Sequence, residues 1–122
     1  MTGNRRAAIL ALTAAIAVPA EGLRQYAYLD PGGVLTVCHG HVGADIEKGR
    51  EYSLAECRKL FDKDMARAVE TVERCQPGLP DPVLVAFADA VFNIGQRIVC
   101  NMNTSTAARY LRAGKLKEAC DE

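Results

Sequence analysis

The apolar run between Pro82 and Gly95 constrains the fold of this 122-residue chain more than any other feature. Proline at a first helical position gives up an amide that would lack a partner anyway, so a helix is predicted from Asp81 to Gly95. Residues 83–92 are apolar on every face apart from Asp89, which is typical of a helix that other helices surround. We therefore expect one mostly helical domain packed around this central helix.

Further helices are predicted on the N-terminal and C-terminal sides of the central one. Ser53 and Glu56 have the spacing of a capping box, which opens a helix of about twenty residues ending before Pro77-Gly78. Thr104 or Ser105 is positioned to cap a later helix, and residues 116–120 favour one more. The apolar stripe of the capping-box helix comprises Leu54, Cys57, Phe61, Met65, Ala68, Val72 and Cys75.

A short β-region is predicted in the first third of the chain. Residues 21–30 favour a short helix, which breaks at the turn sequence Pro31-Gly32-Gly33. Residues 34–38 then have strand character and end at Gly40 and Gly43. The overall prediction is an α+β fold, mostly α, with a small N-terminal β-hairpin or sheet and a helical lobe around the buried central helix.

Charge and cysteine content exclude several classes of function. Fifteen basic residues balance fifteen acidic ones, so the chain lacks the basic excess of a nucleic-acid binder. No CxxC or HxxxH spacing accompanies His39 and His41, so neither a metal nor a cofactor is expected. Five cysteines favour disulfides and an oxidising compartment. Cys57 and Cys75 cannot bond each other, because a helix between them rises about 27 Å and a disulfide spans ~6 Å.

Residues 7–20 form an apolar segment that follows Arg5 and Arg6, the order found in export signals. Three interpretations fit: an uncleaved weak membrane anchor, a signal peptide cleaved after Ala20, or a core helix of the domain. The segment is short for a permanent transmembrane helix, since fourteen helical residues rise only about 21 Å. We treat residues 1–20 as a targeting segment and residues 21–122 as the folded domain.

Three polar residues follow this segment with a spacing that suits glycoside cleavage. Glu21 adjoins apolar residues that would keep its carboxyl protonated, as a general acid requires. Asp30 lies in a wetter turn that favours a carboxylate, and the hydroxyl of Thr36 could hold an attacking water. Equally, Glu21 could cap a helix, Asp30 could start a turn and Thr36 could be an ordinary strand residue.

The stretch EGLRQYAYLDPGGVLTVCHGHVG resembles the catalytic region of phage lysozymes of glycoside hydrolase family 24. The resemblance implies a lysozyme-like fold and an inverting muramidase that cuts peptidoglycan, with Glu21 as proton donor, Asp30 as catalytic carboxylate and Thr36 as its water-positioning partner. It also implies that Val42, Phe92 and Thr106 line the sugar cleft. The alanine-rich N-terminus is similar to signal-anchor-release endolysins, which are exported tethered to the inner membrane and then released into the periplasm.

Family chains usually continue beyond the segment that matches ACDE here, so we expect this domain to lack the last helices. Two other functions compete with an active endolysin. One is an inactive lysozyme-like remnant or peptidoglycan-binding module. The other is a membrane-acting small protein in which residues 7–20 are the active part.

Overall fold

The computed structural model describes the backbone of residues 3–122 and the side chains of residues 3–13 and 22–122. The predicted α+β architecture, mostly α, is confirmed. The chain forms two compact units: a sheet unit, residues 14–64, and a helical unit, residues 3–13 with 65–122. The elements are α1 (Gly3–Glu21), β1 (Arg24–Leu29), β2 (Leu35–Cys38), β3 (His41–Val42), α2 (Leu54–Cys75), α3 (Asp81–Ile94), α4 (Arg97–Cys100), α5 (Thr106–Arg112) and α6 (Leu116–Asp121).

The sheet unit contains a three-stranded antiparallel sheet in the order β1-β2-β3. Leu29 pairs with Leu35 across the turn that contains Pro31-Gly32-Gly33, which confirms the predicted turn. The prediction of a short helix over residues 21–30 is wrong beyond Glu21, because residues 24–29 form β1. Tyr26 and Tyr28 favour a pleated strand, and β2 supplies hydrogen-bond partners that a local helix would not need.

A small apolar cluster and a disulfide hold the sheet unit together. Val37, Cys38, Tyr52 and Cys57 are buried in it, and Cys38 is bonded to Cys57. The amide of Tyr52 donates to the carbonyl of Gln25, so the loop before α2 is tied to β1. The disulfide joins the end of β2 to the first turn of α2.

Helix α2 begins and ends where the sequence predicts. The Glu56 amide donates to Ser53 Oγ at 3.0 Å, and the Ser53 amide donates to Glu56 Oε1 at 3.2 Å, which confirms the capping box. Most of the predicted apolar stripe is buried, but Leu54 is 61% exposed. Leu54 is the first helical residue, where the chain has not yet turned the stripe toward the interior.

In the helical unit, α3 buries one broad face rather than its whole circumference. Leu84, Val85, Phe87, Ala88 and Val91 are buried, whereas Ala86 is exposed and Ile94 is 69% exposed. The predicted buried central helix is therefore covered on one broad face and exposed or half-buried elsewhere. An exposed alanine leaves little apolar area in water, so hydrophobic composition alone overstated the burial of α3.

The N-terminal half of α1 belongs to the helical unit. Ile9 is 1% exposed and Thr13 is fully buried, while Arg5 pairs with Asp81 and Arg6 with Glu70, both at 2.7 Å. The core-helix interpretation thus describes residues 3–13 in this folded state; the side chains of residues 14–21 lie outside the described residues. Across the described part of the chain, no helix combines the length and apolarity needed to cross a bilayer.

Polar and covalent contacts fix the short helices α4 and α5 in the helical unit. A disulfide joins Cys75 to Cys100, and the buried Gln76 side chain donates to the carbonyls of Val99 and Ala108. Ser105 Oγ accepts from the Ala108 amide, which confirms Ser105 as the cap of α5. Helix α4 was not predicted, because four residues carry no periodicity that a sequence pattern could reveal.

Candidate active site

The turn between β1 and β2 links Asp30 and Thr36 through the backbone of Val34. Asp30 Oδ1 accepts a hydrogen bond from the Val34 amide at 2.8 Å. Thr36 Oγ1 donates to the Val34 carbonyl at 2.9 Å, and the same carbonyl accepts from the Asp30 amide. The main chain of Val34 therefore binds both predicted side chains and fixes their spacing.

These contacts leave the Thr36 hydroxyl oxygen and one Asp30 carboxylate oxygen able to accept further hydrogen bonds. The Thr36 hydroxyl spends its single proton on Val34, so its oxygen can still accept a hydrogen bond from a water molecule. Asp30 is half-buried rather than exposed as the sequence suggested, and its second carboxylate oxygen makes no hydrogen bond to another described residue. A water held by Thr36 near this oxygen would be suitably placed to lose a proton.

Glu21 is the last residue of α1, at the boundary that leads through Gly22 into β1. Its side chain lies outside the described residues, and so does the carboxyl separation that distinguishes inversion from retention. In sequence it belongs to the same unit as Asp30 and Thr36. The described geometry thus brings together Asp30 and Thr36 of the three predicted catalytic residues.

Val42 lies directly across the sheet from Thr36. The register pairs Thr36 with Val42 and Val37 with His41. Val42 is 53% exposed, so an apolar side chain is accessible beside the Asp30–Thr36 pair. Val42 lies in β3, which is an edge strand of the sheet.

A buried histidine, His41, lies at this end of the sheet, and no sequence pattern assigned it a catalytic or binding role. His41 Nδ1 contacts Asp64 Oδ2 at 2.6 Å, and Nε2 contacts Asp45 Oδ1 at 3.0 Å. Desolvation lowers the pKa of His41, but hydrogen bonds with Asp64 and Asp45 outweigh it and the net pKa is raised. The hydrogen bond from His41 holds the pKa of Asp45 below its ordinary value. The spacing of four residues from His41 to Asp45 was the available sequence signal.

The other two predicted sugar-contacting residues lie in the helical unit. Phe92 is half-buried near the end of α3. Thr106 is the first residue of α5, and its Oγ1 accepts from Arg109 Nη2 at 3.1 Å. Thr106 lines a cleft of about 370 Å³, together with Arg97 and Ile94. Among the described residues, no three His, Cys, Asp or Glu side chains converge as metal ligands would.

A small antiparallel sheet with a carboxylate turn, and a helical unit containing a long apolar helix, define a lysozyme-like protein. The active form of P1 phage endolysin Lyz has the same fold, with a TM-score of 0.75 and 17% identity over 95% of this chain and 77% of that one. The muramidase domain of SpmX from Asticaccaulis excentricus gives a TM-score of 0.74 and 25% identity, over 93% of this chain and 73% of that domain.

Residues 18–122 match the family model named Phage lysozyme. The SAR-endolysin of Bacteriophage PS119 is 38% identical over 103 residues, which are 84% of this chain and 60% of that protein. The SAR-endolysin of Enterobacteria phage P21 is 37% identical over the same length, 61% of that protein. The chain therefore belongs to the phage lysozyme family. It spans about three fifths of the length of these relatives.

Proposed function

We propose that the chain is an endolysin, a muramidase that hydrolyses the β-1,4 bond between N-acetylmuramic acid and N-acetylglucosamine during host cell lysis. The main structural support is the arrangement of Asp30, Val34 and Thr36, which places a carboxylate near a hydroxyl that can hold water. Family membership and the SAR-endolysin relatives support the same substrate class.

In the proposed reaction, the protonated carboxyl of Glu21 gives its proton to the glycosidic oxygen as that bond breaks. Asp30 takes a proton from the water held by Thr36, and the oxygen of that water bonds to the anomeric carbon from the opposite face. The configuration at this carbon is inverted, and one water molecule is consumed for each bond cut. Val42, Phe92 and Thr106 are proposed to contact the sugars.

Turnover of purified peptidoglycan, followed by the release of reducing-end sugar, tests this proposal. We expect Glu21→Gln and Asp30→Asn each to abolish release, because each removes a proton-transfer group. Thr36→Val should lower kcat about 100-fold, because the attacking water is no longer held in position. Glu118→Gln is the matched control, because Glu118 is exposed on α6 in the helical unit. Turnover that survives Glu21→Gln would overturn the assignment. Binding without turnover by the folded wild-type chain would favour a peptidoglycan-binding module.

We further propose that residues 7–20 tether the exported chain to the inner membrane before it is released into the periplasm. The names of the relatives and the arginine-then-apolar order of the segment support this. In the folded state Ile9 and Thr13 are buried in the helical unit, so the same residues cannot be in lipid at that time. The segment can therefore insert into the membrane or complete the helical unit, but it cannot do both at once.

Leu12→Arg separates these two states, because Leu12 is 52% exposed in the folded protein. Arginine near the centre of the segment opposes insertion by about 2.5 to 3.5 kcal/mol and leaves the folded packing intact. We expect the variant to be lost from the membrane fraction and, as a purified protein, to keep its turnover. Leu12→Ala is the control. Equal membrane fractions for both variants would refute the tether.

A further inference from the structure

The cleft that contains Thr106 lies wholly within the helical unit and contains a basic side chain. The end of α3, the short α4 and the start of α5 form its walls. Ile94 and Ile98 supply apolar surface, Thr104 and Thr106 supply hydroxyls, and Arg97 supplies a guanidinium. The lining is therefore amphipathic, and it holds one basic residue, Arg97, and one acidic residue, Glu122.

Arg97 differs from the neighbouring arginines in its contacts. Arg109 donates to the carbonyls of Met102 and Asn103 and to Thr106, and Arg112 donates to the carbonyl of Cys75. Within the described part of the chain, the exposed Arg97 side chain makes no hydrogen bond or ion pair. Glu122 lines the same cleft but does not pair with it. Five guanidinium N–H donors therefore face solvent beside apolar surface.

The three residues that follow Arg97 in the chain are each tied to a neighbouring element. Cys100, three residues along α4, is joined to Cys75, and Gln76 contacts the carbonyl of Val99. The Ser105 hydroxyl donates to the carbonyl of Ile98 at 2.6 Å, which connects α4 to the cap of α5. A fixed site reduces the entropy that a ligand must overcome on binding.

We propose that Arg97 binds a carboxylate of the peptide stems of peptidoglycan, with Ile94 and Ile98 contacting the apolar side chains of the same stem. This inference rests on the proposed function, because that function supplies the substrate class. The sugar rings of a glycan strand carry no charge, whereas the peptide stems carry free carboxylates. A guanidinium matches a carboxylate in shape and charge, so Arg97 contributes to recognition of the stem rather than to bond cleavage.

Binding of a soluble disaccharide-peptide to the full chain, measured by titration calorimetry, tests the proposal directly. We expect Arg97→Glu to weaken binding roughly threefold to tenfold, the range for a partly exposed charge pair that is reversed. The affinity of the neutral variant Arg97→Gln should lie between those of Arg97→Glu and wild type. Arg67→Glu is the matched control, because Arg67 is exposed on α2, lies outside the cleft and has no ion pair among the described residues.

The same disaccharide-peptide with its carboxyl groups amidated removes the charge from the ligand instead of the protein. Wild type should bind this ligand about as weakly as Arg97→Gln binds the charged one, and Arg97→Gln should not distinguish the two ligands. In turnover assays, Arg97→Glu should raise KM for peptide-bearing strands, keep kcat, and leave peptide-stripped strands unaffected.

The outcomes separate this inference from the proposed function. Wild type that binds the charged ligand through Arg97 but releases no reducing ends would remove the muramidase proposal and keep the stem site. Equal binding by Arg97→Glu and Arg67→Glu, or no discrimination of the amidated ligand by wild type, would overturn the stem site whatever the turnover.

Discussion

The sheet unit and the helical unit are stabilised by different forces. The sheet unit has an apolar cluster of four buried residues, and its other buried groups include the polar side chains of Thr36 and His41. Among the described residues, the helical unit buries side chains from six helices, and Ile9, Met65 and Leu84 are examples. A disulfide is present in each unit. The sheet unit therefore relies on its disulfide and on the buried contacts of His41 with Asp64 and Asp45, whereas the helical unit adds its disulfide to more extensive apolar burial.

This difference follows from the location of the proposed catalytic groups, which lie in the sheet unit. A carboxylate that must meet water and a sugar lies on a small, partly exposed sheet, where few apolar residues can surround it. Small units bury too little surface to be stable without such additional links. The helical unit carries no proposed proton-transfer group and can use its surfaces for packing.

The largest expected effect tests the burial side of the comparison. Ile9→Ala should lower the free energy of unfolding by about 2 to 5 kcal/mol, because it leaves a cavity in the helical unit. Leu12→Ala on the same helix is the control and should cost well under 1 kcal/mol, since Leu12 is half exposed. Denaturant unfolding measures both. Equal effects would mean that the N-terminal half of α1 is not part of the core in solution.

Removal of one disulfide at a time tests the covalent side. Cys38→Ala with Cys57→Ala should cost about 3 kcal/mol, the entropy of a loop of this length in the unfolded chain. Hydrogen exchange should then show loss of protection in β2 and β3 while α3 keeps its protection. Cys75→Ala with Cys100→Ala should expose α4 instead. Uniform loss of protection in both variants would contradict the division into two units.

The third prediction concerns charge in the sheet unit. His41→Asn should lower the free energy of unfolding by about 1 to 3 kcal/mol near pH 6, because Asp64 and Asp45 lose a charged partner. The folded pKa of His41 is raised, so its contribution is fully present below its unfolded pKa of about 6.5 and is lost as pH rises through the folded value. The difference between wild type and variant should therefore shrink in alkaline buffer.

Thermal unfolding across pH measures this trend. His39→Asn is the control, because the His39 ring contacts the backbone carbonyl of Gly22 rather than a carboxylate. A stability difference that grows with pH for His41→Asn would mean that the histidine is neutral in the folded protein.

The smallest effect concerns charge in the helical unit. A double-mutant cycle of Arg6→Ala and Glu70→Ala should give a coupling energy of about 0.2 to 1 kcal/mol, since both side chains are substantially exposed. Chemical unfolding in low and high salt measures it, and salt should reduce it further. A coupling well above this range would show that charges as well as burial attach α1 to the helical unit.

Sequence patterns predicted elements with local signals and missed those that depend on distant partners. The capping box, the Pro31–Gly33 turn and the Ser105 cap are local, and all were found. Strand β1 was mistaken for a helical segment because its pairing with β2 is not visible in residues 21–30 themselves. Within the site, Asp30 and Thr36 followed from spacing and resemblance. The contact of His41 with Asp64, by contrast, joins residues that are distant in sequence, and no local pattern encodes it.

The double role of Val34 has a consequence for how the site can vary. Both of its contacts to Asp30 and Thr36 use main-chain atoms, and its side chain is 43% exposed. Evolution can therefore replace this side chain with nearly any other and keep the spacing of the two polar groups. Proline is the exception, because it removes the amide that Asp30 accepts from. Position 34, in the middle of the proposed catalytic turn, should therefore accept almost every residue except proline.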